Sequence, residues 1–148
     1  MTMKKVVLSL CMSAAVAGLS SCVSTKDAVS FPDMNGEWNM IEIDGAPVIP
    51  APGQEFPFIA FDAKTGQVYG STGCNRLTGQ VDVNAESGRI DLGALGSTRM
   101  MCPDMTVEQQ VLTALAEVKS YRKLSDGHMA LFGSSKRPLV VLQKRERQ

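Results

Sequence analysis

From Gly36 onward the apolar residues fall in short runs cut by glycine, proline and aspartate, a pattern of short strands joined by tight turns. In GEWNMIEIDG, Trp38 and Met40 share one parity and Ile41 and Ile43 the other, which predicts a strand partly covered on both faces and ended by Asp44-Gly45. Prolines at 47, 50, 52 and 57 exclude a central strand from the loop that follows. Residues 57–71 predict a hairpin, with Phe58, Ile59 and Phe61 on one strand, Val68 and Tyr69 on the other, and Lys64-Thr65-Gly66 at the turn. Residues 79–95 predict a second, in which Val81 and Val83 precede a turn near Ser87-Gly88 and Ile90 and Leu92 follow it. The period then changes: Val107, Val111, Leu115 and Val118 recur at helical spacing, with Leu112 and Ala114 widening the stripe. Thr106 with Gln109 is a candidate capping box and Asp104 the competing cap. A hairpin turning at Asp126-Gly127 and an apolar run from Pro138 close the chain. Seven or eight short antiparallel strands with one amphipathic helix packed on them make an α+β fold, mainly antiparallel β, in a strongly twisted or barrel-like sheet.

The N-terminus does not share this pattern. Lys4 and Lys5 precede a nearly uncharged stretch, Val6 to Leu19, in the order of a secretory signal. That stretch is too short to be a comfortable membrane span. Leu19-Ser20-Ser21-Cys22 resembles the lipobox of bacterial lipoproteins, which implies removal of residues 1–21 and diacylglycerol on Cys22. The alternative is an ordinary secretory signal with Cys22 there by chance. Two acyl chains hold a domain stably on a membrane, and residues 22–34, polar and carrying Pro32, read as a lipidated tether to a domain of residues 35–148. Val23, where an aspartate would retain such a protein in the inner membrane, points to the outer membrane of the envelope, on either its periplasmic or its surface face.

The 15 basic and 15 acidic side chains balance, and loss of Lys4 and Lys5 with the signal leaves about −2. Such a chain has no field suited to nucleic acid. Of four cysteines, Cys11 leaves with the signal and Cys22 carries the lipid. Cys74 and Cys102 remain in an oxidising compartment, where a disulfide is the expected outcome. Closing about 29 residues, it would stabilise the domain by roughly 3.6 kcal/mol in the chain-entropy model.

Other chemistry for Cys74 is poorly supplied. A thiol nucleophile needs a base, and the single histidine, His128, lies beside the Asp126-Gly127 turn. No close C-x-x-C pair is present for redox exchange, and two cysteines with one histidine do not complete a metal tetrahedron. Gly70, Gly73 and Gly79 lack the lysine and helix of a phosphate loop; bends and close backbone approach are their expected use. Asn75 can hold its own turn and Arg76 can pair with an acid. Both are also candidate ligand or partner contacts. Met100, Met101 and Met105 are expected to fill core gaps beneath the helix, with a partner-binding patch as the lesser alternative.

Gly36 with Trp38, the Gly73-Cys74-Asn75 block followed by Gly79, the run Thr98, Met100, Cys102, Pro103, and Glu108 opening the helix together resemble the META domain family, that of the bacterial heat-shock protein HslJ. The likeness covers roughly residues 33–145, with Met101 where relatives commonly carry alanine. It implies a compact antiparallel β-structure with a helix, often borne on envelope lipoproteins and linked to heat-shock induction and novobiocin resistance, with no established catalytic activity. The expectation is therefore a non-enzymatic envelope lipoprotein that needs no cofactor or metal and supports stress or antibiotic resistance by contacting an envelope protein or small ligand. A binding or inhibitor module for a periplasmic enzyme is one alternative. A thiol-dependent enzyme or redox protein using Cys74 and Cys102 is the other.

Overall fold

The structure, a computed structural model, describes residues 30–146. The signal, Cys22 and the tether up to residue 29 lie outside the described residues. The strands are β1 (Gly36–Ile43), β2 (Ala46–Pro47), β3 (Phe58–Phe61), β4 (Gln67–Ser71), β5 (Arg76–Gln80), β6 (Gly96–Ser97), β7 (Ser120–Lys123), β8 (Met129–Phe132) and β9 (Pro138–Lys144), with one helix, α1 (Thr106–Ala116), between β6 and β7. They pair antiparallel in the order β6-β5-β4-β3-β1-β9-β8-β7, with β2 on the end of β1. This is the expected α+β, mainly antiparallel architecture, and the sheet is open: no ladder joins β6 to β7 among the described residues.

Strand β1 shows why both of its parities are apolar. A bulge between Met40 and Glu42 in its pairing with β9 inserts one residue, so the inward side switches from Trp38 and Met40 to Ile43. Those three side chains join Phe61, Val68, Leu77, Tyr121, Leu131, Val140 and Leu142 in one core, each large side chain contributing on the order of 1.5–3 kcal/mol by burial. The helix lays Val111, Ala114 and Leu115 onto that core. Neither candidate cap takes that position: the N-cap is Met105, which makes no side-chain cap bond. Asp104, one residue earlier, accepts the Thr106 N–H on Oδ1 at 2.8 Å, and this bond holds its carboxyl below the usual range.

Three expectations are corrected. The first described element starts at Phe31, four residues before the expected boundary at 35. Residues Phe31–Met34 form a 3-10 turn with Phe31 and Met34 buried, and Phe31 packs edge-on against Phe61 at 6.1 Å. Next, the hairpin expected over 79–95 does not form. The strand ends at Gln80, an Asp82 turn follows in which Oδ1 accepts the Asn84 N–H, and the residues after Gly88 leave for β7. There Ile90 N–H donates to Lys119 O at 3.2 Å, Tyr121 N–H donates to Gly88 O at 2.9 Å, and Arg89 bridges Ser120. This connection spans from β5 toward the far edge of the sheet, which is as near as the structure comes to a barrel. Finally, the methionines expected in the core are outside it: Met100 is 58 % and Met101 91 % exposed, and Met105 is half-buried.

Candidate functional site

The residues singled out in the sequence meet where β4 turns into β5 and where the chain enters α1. Gly70 lets β4 lie against β3, since a Cβ there would stand 2.2 Å from Phe58 O, and Gly73 turns the chain with φ +106°. Cys74 and Cys102 are bonded, with Cα atoms 6.1 Å apart, within the range a bridge requires. The chain leading to Cys102, residues 98–102, forms a strap beside the β4–β5 turn, tied to it by this bridge.

Asn75 is the centre of the hold on that strap. It is 1 % exposed and uses every polar atom of its side chain. Oδ1 accepts the Met100 N–H at 2.6 Å and the Thr98 hydroxyl at 2.7 Å. Nδ2 donates to Met100 O at 3.1 Å and to the Glu108 carboxyl at 2.7 Å. Glu108, 6 % exposed, also accepts the Thr72 hydroxyl at 2.8 Å and the Asn75 backbone N–H at 3.2 Å. No cation pairs with it among the described residues. Its place in the first turn of α1 sets its oxygens at the positive end of the helix dipole. No buried side-chain polar atom lacks a partner among the described residues, and a polar network so satisfied rigidifies what it joins. Here it joins the turn, the strap and the helix.

Arg76 takes a different part. Its guanidinium lies 2.6 Å from the Glu55 carboxyl, and Arg145 approaches the same carboxyl at 3.5 Å. Partial burial pushes the Glu55 carboxyl up, but the Arg76 hydrogen bond and charge, the Ser71 hydroxyl and Arg145 outweigh it and leave the group below its ordinary range. The Arg76–Glu55 pair is largely exposed, and such pairs contribute about 0–1 kcal/mol. Arg76 thus fastens the 48–57 loop beside the site, where Gln54 Nε2 also donates to Asp104 O at 2.5 Å.

Sequence reasoning gave Glu108, Thr72 and Thr98 no function of their own. For Glu108 the signal was present: it stands three residues before Val111 and seven before Leu115, on the buried stripe of the helix, where a carboxyl must find donors. Thr72 carried no such signal. His128 is not brought to the cysteines. It sits at the β7–β8 turn with Nδ1 2.7 Å from Asp126, and β9, β1, β3 and β4 separate β8 from β5 in the sheet. With both sulfurs bonded, neither cysteine can attack a substrate until reduced. Elsewhere an open cleft of about 730 Å³ is lined by Asp82, Arg89, Ile90, Lys119 and Ser134; its charges are of both signs, and Cys74, Asn75, Arg76 and Cys102 do not line it.

Comparison with known proteins agrees with these boundaries. The family model described as META domain matches residues 31–146, starting at the residue where the first described element starts. A solved structure, the NMR structure of a protein from Burkholderia xenovorans, is similar with a TM-score of 0.59 at 18 % identity, covering 95 % of this chain and 100 % of that one. At that identity the likeness speaks for the fold alone. No curated protein matches the chain.

Proposed function

The chain belongs to the META-domain family, and from that footing we propose that it is a non-enzymatic lipoprotein of the bacterial envelope, anchored through Cys22, whose clamped strap contacts another envelope component. The observation that carries the reading is the hold on residues 98–102. A disulfide and a buried carboxamide secure a loop that presents Met100 and Met101 to solvent. Ordering backbone costs about 1–2 kcal/mol per residue, so a loop held this firmly has met that cost before any partner arrives. Methionine, unbranched and polarizable, suits adaptable contact. The lipobox and the disulfide both fit an exported, membrane-held protein. Contact at the strap would be the means by which the protein supports the envelope under stress or antibiotic exposure, and an enzyme held there would make it an inhibitor.

The test is affinity capture from native envelope with the lipidated protein, beside a Met100→Ser/Met101→Ser variant. A defined component recovered with the first and lost with the second is the expected result. Equal recovery with both would remove the strap from the reading. A hydrolytic or redox activity that disappears in His128→Ala while the melting temperature stays put would return the protein to the enzymes.

A further inference from the structure

The edge of the sheet at β6 is longer than its two residues, because a side chain completes it. Gly96 stands opposite Thr78 and Ser97 opposite Leu77. One step on, Thr98 N–H donates to Arg76 O at 3.0 Å and Arg76 N–H is taken by Thr98 Oγ1 at 3.0 Å. The same register sets Met100 opposite Cys74, where the neighbouring backbone has already turned away at Gly73. There the Asn75 carboxamide accepts the Met100 N–H and donates to the Met100 carbonyl, the pair of bonds that a facing strand residue would exchange. Residues 96, 98 and 100 therefore face inward. By the alternation of an antiparallel edge, the N–H and C=O groups of Ser97, Arg99 and Met101 face outward, and no described residue bonds the backbone of Arg99 or Met101.

We propose that the outer edge of residues 97–101 is a docking strip for an extended peptide segment of a partner protein, which adds to the sheet as a further strand. This rests on the binding reading above and names its mode. Open edges are ordinarily blunted by brevity, charge or proline; here the side chain of Asn75 lengthens the edge and the disulfide fixes its end. Arg99 and Met101, two apart, project from one face of the strip, and Arg99 has no ion pair among the described residues. The fitting peptide carries an acidic residue to face Arg99 and an apolar one beside Met101. A second copy of this chain pairing antiparallel about the centre of the strip would set Arg99 against Arg99, a destabilising like-charge pair.

The test uses the mature chain and a displayed library of linear ten-residue peptides. The best binder is resynthesised with N-methyl groups on its odd or its even backbone nitrogens. One parity should weaken binding by about tenfold or more and the other by less than about twofold, since only alternate N–H groups face the sheet. Arg99→Pro, which removes an outward N–H while leaving the Thr98 and Met100 bonds, should weaken binding by about tenfold. Equal loss at both parities, or a library without binders, overturns the proposal. So does a concentration-dependent dimer abolished by Arg99→Pro, which would give the strip to a second copy. The methylation result stands on the unaltered protein, so poor folding of Arg99→Pro does not decide the matter. A peptide that loses binding in the Met100→Ser/Met101→Ser variant, yet shows no parity, retains the binding reading and removes strand addition.

Discussion

Replacing Asn75 with alanine withdraws side-chain hydrogen bonds to four groups from the place where turn, strap and helix meet. They are not equal in cost. The bonds to the Thr98 hydroxyl and to the Met100 N–H and carbonyl are only partly buried, on residues that are themselves exposed, so water can replace the two bonds to Oδ1 and the one to Met100 O, at a few tenths to about 1 kcal/mol in total, the lower side of the usual range. The bond to Glu108 is different, because that side chain is 6 % exposed and would keep only Thr72 Oγ1 and the Asn75 backbone N–H as donors. Hydrogen bonds to such a group are worth about 1.5–3 kcal/mol. The sum, about 2–4 kcal/mol, corresponds to a fall of roughly 8–16 °C in melting temperature for a domain of this size. Thermal and urea unfolding of the disulfide-bonded mature protein would measure it. Asn75→Asp, which sets a second carboxyl against Glu108 in place of a donor, should be worse than alanine at neutral pH. A cost below about 1 kcal/mol for Asn75→Ala, or an aspartate variant as stable as the alanine one, would refute the reasoning and leave the strap held by the disulfide alone.

Further expectations concern the bridge, the turn chemistry and the anchor. Cys74→Ser and Cys102→Ser should each destabilise the domain by a similar amount, roughly 3.6 kcal/mol in the chain-entropy model; unequal losses, or two freely alkylated thiols in protein taken from the envelope, would count against a structural bridge. At the β3–β4 turn, Asp62 Oδ1 accepts the N–H groups of Lys64 at 2.8 Å and Thr65 at 3.2 Å, and these bonds, that of Lys64 first, hold its carboxyl below the usual range. Because that value is lower in the folded than in the unfolded chain, the contribution is present above the ordinary carboxylate pKa of about 4 and is lost as pH falls through the folded value. Asp62→Asn should therefore lower the urea midpoint at neutral pH and shrink its difference from the midpoint at pH ~3; an undiminished difference would assign the acid sensitivity to other groups. Metabolic labelling with a fatty-acid analogue should mark the protein, and a Cys22→Ser variant that labels equally would remove the anchor.

Elements whose signals are local were legible in the sequence. Lys64-Thr65-Gly66 and Asp126-Gly127 sit in the turns they predict, with Gly66 at φ 76° and Gly127 at φ 87°, and the helical period brought Val111 and Leu115 to the core. The hairpin over 79–95 failed because its turn signal was sound while its pairing was not local. Gly88 does turn, at φ 77°, but Ile90 bonds Lys119, a partner that no nearby pattern announces. Met100 and Met101 misled for a related reason. Hydrophobic character predicts burial only when nothing holds the backbone elsewhere, and what holds this backbone is an asparagine 25 residues away.

The two fastenings of the strap are not duplicates. A disulfide limits the distance between two Cα atoms but leaves the peptide planes between them free to rotate, so the bridge alone would keep the strap near the turn in many orientations. The carboxamide of Asn75 fixes orientation, because its two atoms must meet the N–H and the carbonyl of Met100 together, and those belong to the two successive peptide groups flanking that residue. Glu108 then fixes the carboxamide itself, and Glu108 is carried by a helix whose position is set by Val111 and Leu115 in the core. The geometry of an exposed edge is thus determined by apolar packing several residues beneath it. A core substitution that tilts α1 acts on the strap through Glu108 and Asn75 even where the disulfide is intact.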